Sequence, residues 1–134
     1  MTSKIIYNGE LRTTAIHIQS GTVIETDAPK DNQGKGERFS PTDLVATALG
    51  SCMLSIMGIA SRTHDIQMEG TECTIEKIMV PAPRKIGEIV VNIYMKGQDS
   101  FSDKQRAILE HAALTCPVYL TLHEEVKKTV TFHW

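Results

Sequence analysis

A long apolar segment over residues 40–63 constrains the fold of this chain more than any other feature. Ser40 is a residue type that caps helix N-termini, Pro41 suits the first helical position, and Asp43 approximates a capping box. A helix over residues 41–63 would be about 34 Å long, which is about the diameter of a small domain. Its apolar residues surround most of the helix circumference, so we expect burial on several sides. They are Leu44, Val45, Ala48, Leu49, Cys52, Met53, Ile56, Met57, Ile59 and Ala60. The sequence therefore predicts a central helix.

Shorter elements precede and follow this helix. Residues 4–26 predict a meander of short strands, because turn residues interrupt alternating apolar positions, and residues 27–37 predict a solvated, mobile loop. After the helix, alternation over residues 73–80 and 88–95 predicts a β-hairpin. The remaining predicted elements are a helix over residues 102–114, a helix from 117 to 124 or 125, and a closing strand around 128–132. This order predicts an α+β fold.

Composition and charge exclude several function classes. The chain has 134 residues, 41% hydrophobic and 22% charged, so we expect one globular domain over residues 1–134. Its formal net charge of −2 makes a nucleic-acid partner unexpected. The longest apolar run is short and rich in small residues, which argues against a membrane span. The first ten residues, MTSKIIYNGE, lack the pattern of a secretion signal, so we expect a cytoplasmic location.

The three cysteines are the candidate reactive groups. An odd number without a secretion signal argues against a disulfide scaffold, and the scattered histidines offer no metal-ligand spacing. We therefore expect neither a metal nor a bound cofactor. Cys73 lies in a strand pattern and is predicted to be a packing residue. His111 lies near Cys116 in the chain and could act as a base, but a lone helical histidine is more often structural.

Local surroundings distinguish the other two cysteines. Cys52 lies in the middle of the apolar helix, where burial alone would leave the thiol unreactive unless a cation or a donor reaches it. Cys116 directly precedes Pro117 and so lies at or next to the N-cap of a helix. Free N–H groups and the helix dipole at such a position favour a thiolate. The residues alone leave open which cysteine is functional.

Two sequence motifs resemble those of one known family. The run SPTDLVATALGSCM over residues 40–53 resembles the signature helix of the OsmC/Ohr family, the osmotically inducible and organic hydroperoxide resistance proteins. The run TCPV over residues 115–118 resembles the family's second motif, in which Cys-Pro precedes Val or Tyr. The order and the separation of the motifs match the family across nearly the whole chain.

The resemblance implies an intertwined homodimer of α+β subunits, with antiparallel sheets around a long central helix and active sites at the subunit interface. It implies a thiol-dependent peroxidase for organic hydroperoxides, in which Cys52 is the peroxidatic thiolate and Cys116 resolves its sulfenic acid as a disulfide. An external dithiol would then reduce the disulfide. Met53, Met57 and aliphatic residues would line the site. The alternative is a redox-sensing or small-molecule-binding protein of the same fold without efficient turnover.

Characterised members of the family also use an arginine that stabilises the thiolate, held in place by a carboxylate. We expect Arg38 to fill this role, with Arg12 as the alternative and Glu37 or Glu10 as the holding carboxylate.

The chain departs from the family at the position directly after the helix-starting proline, where the family has a carboxylate and this chain has Thr42. Asp43 is nine residues from Cys52, which places it on the opposite helix face, so we expect it to act in helix capping.

Overall fold

The computed structural model describes the whole chain, Met1–Trp134, as two compact units, Met1–Val45 and Ala46–Trp134. Helix α1, Pro41–His64, begins in the first unit and continues into the second. The structure has the mixed α+β content that the sequence predicts, with two three-stranded sheets and one long helix. A single domain over the entire chain stays a prediction.

The first unit is an antiparallel meander of strands β1, Ser3–Gly9, β2, Arg12–His17, and β3, Val23–Asp27. The predicted loop follows and contains one short 3₁₀ turn, Lys30–Asn32. All the buried residues of this unit are polar, namely Thr26, Asp27 and Ser40. Its apolar side chains are exposed, and those of Ile5, Tyr7 and Val23 are each more than half accessible. The meander therefore has no apolar core of its own in a single chain.

The second unit contains the other sheet and two shorter helices. Strands β4, Glu72–Pro81, and β5, Arg84–Tyr94, form the predicted hairpin, and helix α2 covers Asp103–Leu114. Helix α3, Pro117–Thr121, ends earlier than predicted because Leu122 adopts extended backbone dihedral angles. Strand β6, Lys127–His133, completes the sheet.

Strand β6 differs in direction from the expectation of antiparallel sheets. It pairs in parallel with β5, from Glu88 opposite Lys127 to Tyr94 opposite His133. The physical reason is the connection, since the chain leaves β5 at its C-terminal end, forms α2 and α3, and crosses back to the opposite end of the sheet, where β6 begins. Such a crossover gives parallel pairing, whereas a tight turn would give a hairpin.

The start of α1 confirms the predicted capping box. The Ser40 hydroxyl accepts a hydrogen bond from the Asp43 backbone N–H at 3.0 Å, and the Asp43 carboxylate accepts one from the Ser40 backbone N–H at 2.8 Å. Two of the helix's unpaired donor groups are thus satisfied by two residues. Asp43 has the capping role that its position predicts.

The core of the second unit forms along one stripe of α1. Ala46, Leu49, Met53 and Met57 are buried at the spacing of one helix face. They belong to one apolar cluster with buried residues of β5 and α2, namely Ile89, Val91, Ile93, Leu109, Ala112 and Ala113.

Burial of α1 on several sides is not observed in the single chain. The helix is covered along this stripe, whereas Val45 and Ile59 are exposed on other parts of its surface. By length and composition α1 also meets the criteria for a membrane span, as the core helix of a globular protein can. Its buried stripe accounts for part of this apolar character.

Candidate active site

Cys116 lies at the N-cap of α3, as its position before Pro117 predicts. Its side chain is fully buried and its sulfur accepts a hydrogen bond from the Tyr119 backbone N–H at 3.4 Å. Proline occupies the first turn of α3, where its fixed φ angle suits a helix and its missing N–H costs no hydrogen bond. The sequence around Cys116 therefore fixes the thiol at a turn between two helices.

Cys52 reaches Cys116 from helix α1. Cys52 is partly buried and packs against the apolar core, and it lies close enough to Cys116 for its side chain to raise the pKa of that thiol. Both residues lie in the second unit, and both are free thiols. Two cysteines that are far apart in the sequence are thus adjacent, as a thiol–disulfide pair requires.

The environment raises the pKa of the Cys116 thiol. Burial makes the largest contribution, and hydrogen bonding and charge at Cys52 act in the same direction. The backbone N–H groups of Tyr119 and Val118 act in the opposite direction, which is the N-cap effect that the sequence predicts. The N–H groups thus favour the thiolate as predicted, but desolvation outweighs them and the net shift of the pKa is upward. Because its pKa is raised, the Cys116 thiol keeps its proton and is suited to donate a hydrogen bond to Cys52.

The methionines predicted to line the site are fully buried on α1. Met53 and Met57 belong to the same apolar cluster as Cys116, and Cys52 packs against this cluster. That the two methionines line the site stays a prediction.

Cys73 occupies a packing position on β4, as predicted. It is partly buried against the core, and burial raises the pKa of its thiol. A β-carbon on Gly50 would lie 2.9 Å from the Cys73 sulfur, so the helix and the strand approach closely there. The absence of a side chain at Gly50 permits this approach.

Of the two candidate arginines, Arg12 of β2 is held more firmly by its hydrogen-bond partners. Its Nε donates to Oδ1 of Asp27 at 2.7 Å, and its Nη2 donates to Oδ2 of Asp27 at 2.8 Å. The same Nη2 donates to the Glu37 carboxylate at 2.8 Å. Asp27 is 1% exposed and Arg12 is 21% exposed, whereas Glu37 is 60% exposed. The dominant interaction is thus a bidentate ion pair that is largely shielded from solvent.

Arg38, the arginine preferred from the sequence, lies in a more open environment. Its Nε donates to the Glu25 carboxylate at 2.9 Å, and the two side chains are 47% and 38% exposed. Glu37 holds Arg12 rather than Arg38, and Glu10 lies in the turn between β1 and β2 with a positive φ of 52°. An ion pair as exposed as this one contributes little to stability.

Asp27 was missed by the sequence reasoning, although a signal for it exists. Arg12 and Asp27 are directly opposite each other in the antiparallel pair β2–β3. Counting outward from the turn residues Ser20-Gly21 would place Arg12 opposite residue 29 rather than residue 27, so the turn gives this pairing only to within two residues. The sequence predicts a loop over residues 27–37, whereas Asp27 is the last residue of β3.

Thr42 supplies no carboxylate at the position where the family has one. Its hydroxyl lies 3.1 Å from the hydroxyl of Ser40 in the capping turn of α1. His111 is exposed in the last turn of α2. No group of three or more His, Cys, Asp or Glu side chains is placed to hold a metal ion.

Asp27 should also make stability depend on pH. The Arg12 guanidinium and the Glu37 backbone N–H lower the pKa of Asp27 from 3.8 to about 2. Because the folded-state value is lowered, the ion pair stabilises the fold above about pH 4, and this stabilisation is lost as the pH falls towards about 2. We expect Asp27→Asn to be less stable than wild type at pH 7 and to lose less stability over that acid range. Urea unfolding at several pH values measures this difference.

Glu25→Gln is the matched control. Glu25 lies on the same strand as Asp27, and its exposed carboxylate pairs with Arg38. The variant should keep the wild-type acid dependence. Equal acid losses in wild type and Asp27→Asn would contradict the assignment.

A family model described as OsmC-like protein matches residues 34–131, which is most of the chain and includes both Cys52 and Cys116. The chain belongs to the OsmC family. A crystal structure from Psychrobacter arcticus 273-4, provisionally named an osmotic stress induced and detoxification response protein, is 47% identical. The comparison covers 99% of this chain and 96% of that one, with a TM-score of 0.94.

More distant OsmC-fold structures share the architecture. An organic hydroperoxide resistance protein OsmC from Legionella pneumophila is 16% identical, with a TM-score of 0.78 and coverage of 100% of this chain and 98% of that one. An organic hydroperoxide resistance protein from Elizabethkingia anophelis, with thiocyanate bound, is also 16% identical, with a TM-score of 0.67 and coverage of 99% and 96%. Identities this low show the fold alone. No curated protein matches the chain significantly.

Proposed function

We propose that this OsmC family member is a thiol-dependent peroxidase that reduces organic hydroperoxides. The observation that carries the proposal is the contact between Cys52 and Cys116, two free thiols brought together from α1 and the N-cap of α3. A hydrogen bond from Cys116 would stabilise a negative charge on the Cys52 sulfur. The names of the distant structures, organic hydroperoxide resistance proteins, indicate the substrate class to test first.

The proposed cycle has three steps. The Cys52 thiolate attacks one oxygen of the hydroperoxide, so that an S–O bond forms and the O–O bond breaks. The sulfur is oxidised by two electrons to a sulfenic acid, and the leaving alkoxide takes a proton to become an alcohol. Cys116 then attacks the sulfenic sulfur and water leaves, which forms the Cys52–Cys116 disulfide. An external dithiol restores both thiols by two exchange steps and becomes a disulfide itself.

We propose Arg12, rather than Arg38, as the arginine that acts in this cycle. This choice is supported by the surroundings of Arg12, whose side chain is held by two carboxylates and is mostly shielded from solvent. Arg38 is about half exposed and pairs with an exposed carboxylate. A guanidinium already held in one orientation loses less entropy when it binds an anion.

We also propose that the protein acts as a homodimer in the cytoplasm, without a nucleic-acid, membrane, metal or cofactor requirement. Support for the dimer comes from the apolar residues that a single chain leaves exposed. In the first unit these include Ile5, Tyr7 and Val23, and in the second unit Ile59 and Leu120. Large apolar side chains exposed in a single chain are often covered in a protein–protein interface.

A steady-state assay with a dithiol reductant tests the proposed activity. We expect kcat/KM for cumene hydroperoxide to exceed that for hydrogen peroxide by at least about tenfold, because an apolar group contributes about 1–3 kcal/mol of binding. Alcohol and oxidised dithiol should form in equal amounts. No consumption of either peroxide above the protein-free rate would contradict the proposal.

Thr42 favours one alternative, a redox sensor or binding protein on the same fold. Its neutral hydroxyl stands where the family has a carboxylate. Thiol titration after one equivalent of hydroperoxide separates the two functions. A Cys52–Cys116 disulfide that forms quickly and is not reduced catalytically would favour sensing.

A further inference from the structure

We propose that Lys128 of β6 is a positioning residue for the resolving step, because it holds helix α3 through the ring of Tyr119 and so keeps the Cys116 thiol in place beside Cys52. This inference rests on the proposed function and adds a role for two residues outside both cysteine motifs. It is carried by the face of β6 on which Lys128 lies, by the partners of its ammonium group and by the hydrogen bonds of α3.

Lys128 occupies an unusual position for a lysine. Side chains alternate between the two faces of a strand, so Lys128 lies on the same face of β6 as Val130 and Phe132. Those two residues pack against the apolar core of the second unit, and Lys128 is itself partly buried. Lysine seldom leaves water without a partner for its charge, so the ammonium group of Lys128 needs one.

The ammonium group of Lys128 has its partners on α3 and just beyond it. Its Nζ lies 5.2 Å from the centre of the Tyr119 ring, which is within the range of a cation–π contact. It also lies 3.5 Å from the carbonyl oxygen of His123, shortly after the end of α3. Lys128 forms no ion pair with a carboxylate, whereas the neighbouring Lys127 pairs with Glu88 at 3.0 Å. The charge of Lys128 is therefore directed at α3.

Helix α3 needs such a contact because it is very short. It has five residues, Pro117–Thr121, and an isolated helix of this length is not stable in water. Tyr119 lies in its middle, where its backbone N–H donates to the Cys116 sulfur at 3.4 Å. The Cys116 carbonyl accepts a hydrogen bond from the Leu120 backbone N–H at 3.1 Å. A side chain that fixes Tyr119 therefore also fixes the turn that holds Cys116.

The resolving step is the one that depends on this placement. In it the Cys116 sulfur forms a bond with the sulfenic sulfur of Cys52, the S–O bond breaks, and the hydroxyl group leaves as water with the Cys116 proton. Cys116 is fully buried, so its sulfur reacts from the position in which the α3 turn holds it. The first step of the cycle forms no bond to Cys116. Lys128 should therefore affect the second step more than the first.

Rapid mixing with one equivalent of cumene hydroperoxide separates the two steps and tests the inference. Release of the alcohol reports the first step, and the decay of the sulfenic acid, measured with a trapping reagent, reports the second. For Lys128→Met we expect the second step to slow by about fivefold, and the first to stay within about twofold of wild type. Lys128→Arg keeps a cation that can contact the ring, so its second step should stay within about twofold of wild type. An unchanged second step in Lys128→Met would overturn the inference.

Lys127→Met is the matched control for the loss of one positive charge. Lys127 is the preceding residue of β6, but its side chain is 70% exposed and pairs with Glu88 rather than with α3. Both steps should keep their wild-type rates in this variant. Slowing of the second step in Lys127→Met as large as in Lys128→Met would contradict the specific role of Lys128.

Tyr119→Leu removes the other half of the contact, because leucine keeps an apolar side chain but has no ring. It should slow the second step about as much as Lys128→Met does. If Lys128 acts through Tyr119, the double variant should be no slower than the slower single variant. Equal fold-losses from Lys128→Met in the wild-type and Tyr119→Leu backgrounds would overturn the inference.

The equilibrium between the Cys52–Cys116 disulfide and dithiothreitol makes the inference independent of peroxidase turnover. Oxidised dithiothreitol forms the disulfide by two exchange steps and is itself reduced, so no hydroperoxide is needed. A loosened α3 lowers the effective concentration of one thiol at the other, so the equilibrium constant for disulfide formation should fall by about fivefold in Lys128→Met and stay unchanged in Lys127→Met. If the wild type reduces no hydroperoxide but this difference occurs, the proposed function fails and the positioning role stands. Equal constants in wild type and Lys128→Met would overturn the positioning role, whether or not hydroperoxide is reduced.

Discussion

Replacing Cys52 with serine should lower kcat/KM for cumene hydroperoxide by at least about a thousandfold, equivalent to about 4 kcal/mol of activation free energy. Oxygen cannot replace sulfur here, because a serine hydroxyl is almost fully protonated at neutral pH and forms no analogue of a sulfenic acid. Cys52 is only partly buried, so serine should not prevent folding. Peroxide consumption at several substrate concentrations, with a thermal unfolding curve for each protein, measures the effect.

Cys73→Ala is the control for the Cys52 variant. Cys73 packs on β4 and has no place in the proposed cycle, so its removal should leave kcat/KM within about twofold of wild type. Wild-type activity in Cys52→Ser would reject the peroxidase proposal. Loss of activity in both variants, with intact folding, would contradict the division between a reactive and a packing cysteine.

Replacing Cys116 with serine should convert a multiple-turnover enzyme into a single-turnover one. The first step needs only Cys52, so one alcohol should form per subunit, after which the sulfenic acid persists because no thiol resolves it. Mass spectrometry with a sulfenic-acid trapping reagent should then find the adduct on Cys52. The first-step rate should stay within about fivefold of wild type, since serine retains a donor towards the Cys52 sulfur.

Cys116→Ala provides the comparison for that donor. Alanine removes both the resolving thiol and the proposed hydrogen bond to Cys52, so the first step should slow by about tenfold or more relative to Cys116→Ser. Continued turnover of Cys116→Ser at the wild-type rate would show that Cys116 does not resolve the sulfenic acid.

Local sequence signals predicted the framework that carries the site. The start of α1 follows from Ser40 and Asp43, whose reciprocal hydrogen bonds involve residues three positions apart. The N-cap position of Cys116 follows from Pro117, which favours the first turn of a helix. Such features depend on neighbouring residues, so the sequence contains them directly.

Features that depend on distant residues were harder to predict. The contact between Cys52 and Cys116 needs the packing of α1 against the α2–α3 turn, and here the resemblance to a family supplied the pairing that spacing did not. The sign of the pKa shift at Cys116 depends on burial, which opposes the local helix effect. The preference for Arg38 failed to anticipate the bidentate pair because the partner of Arg12 lies across a hairpin.

The parallel pairing of β6 has a consequence for the timing of synthesis. Cys116 lies in the crossover between β5 and β6. The crossover cannot be anchored at its second end until β6 has left the ribosome, so Cys52 emerges well before its partner can be fixed beside it. Folding must bring together strands that are far apart in the chain, a step that is slow compared with hairpin formation. We expect the two thiols to be fixed beside each other only after this slow step.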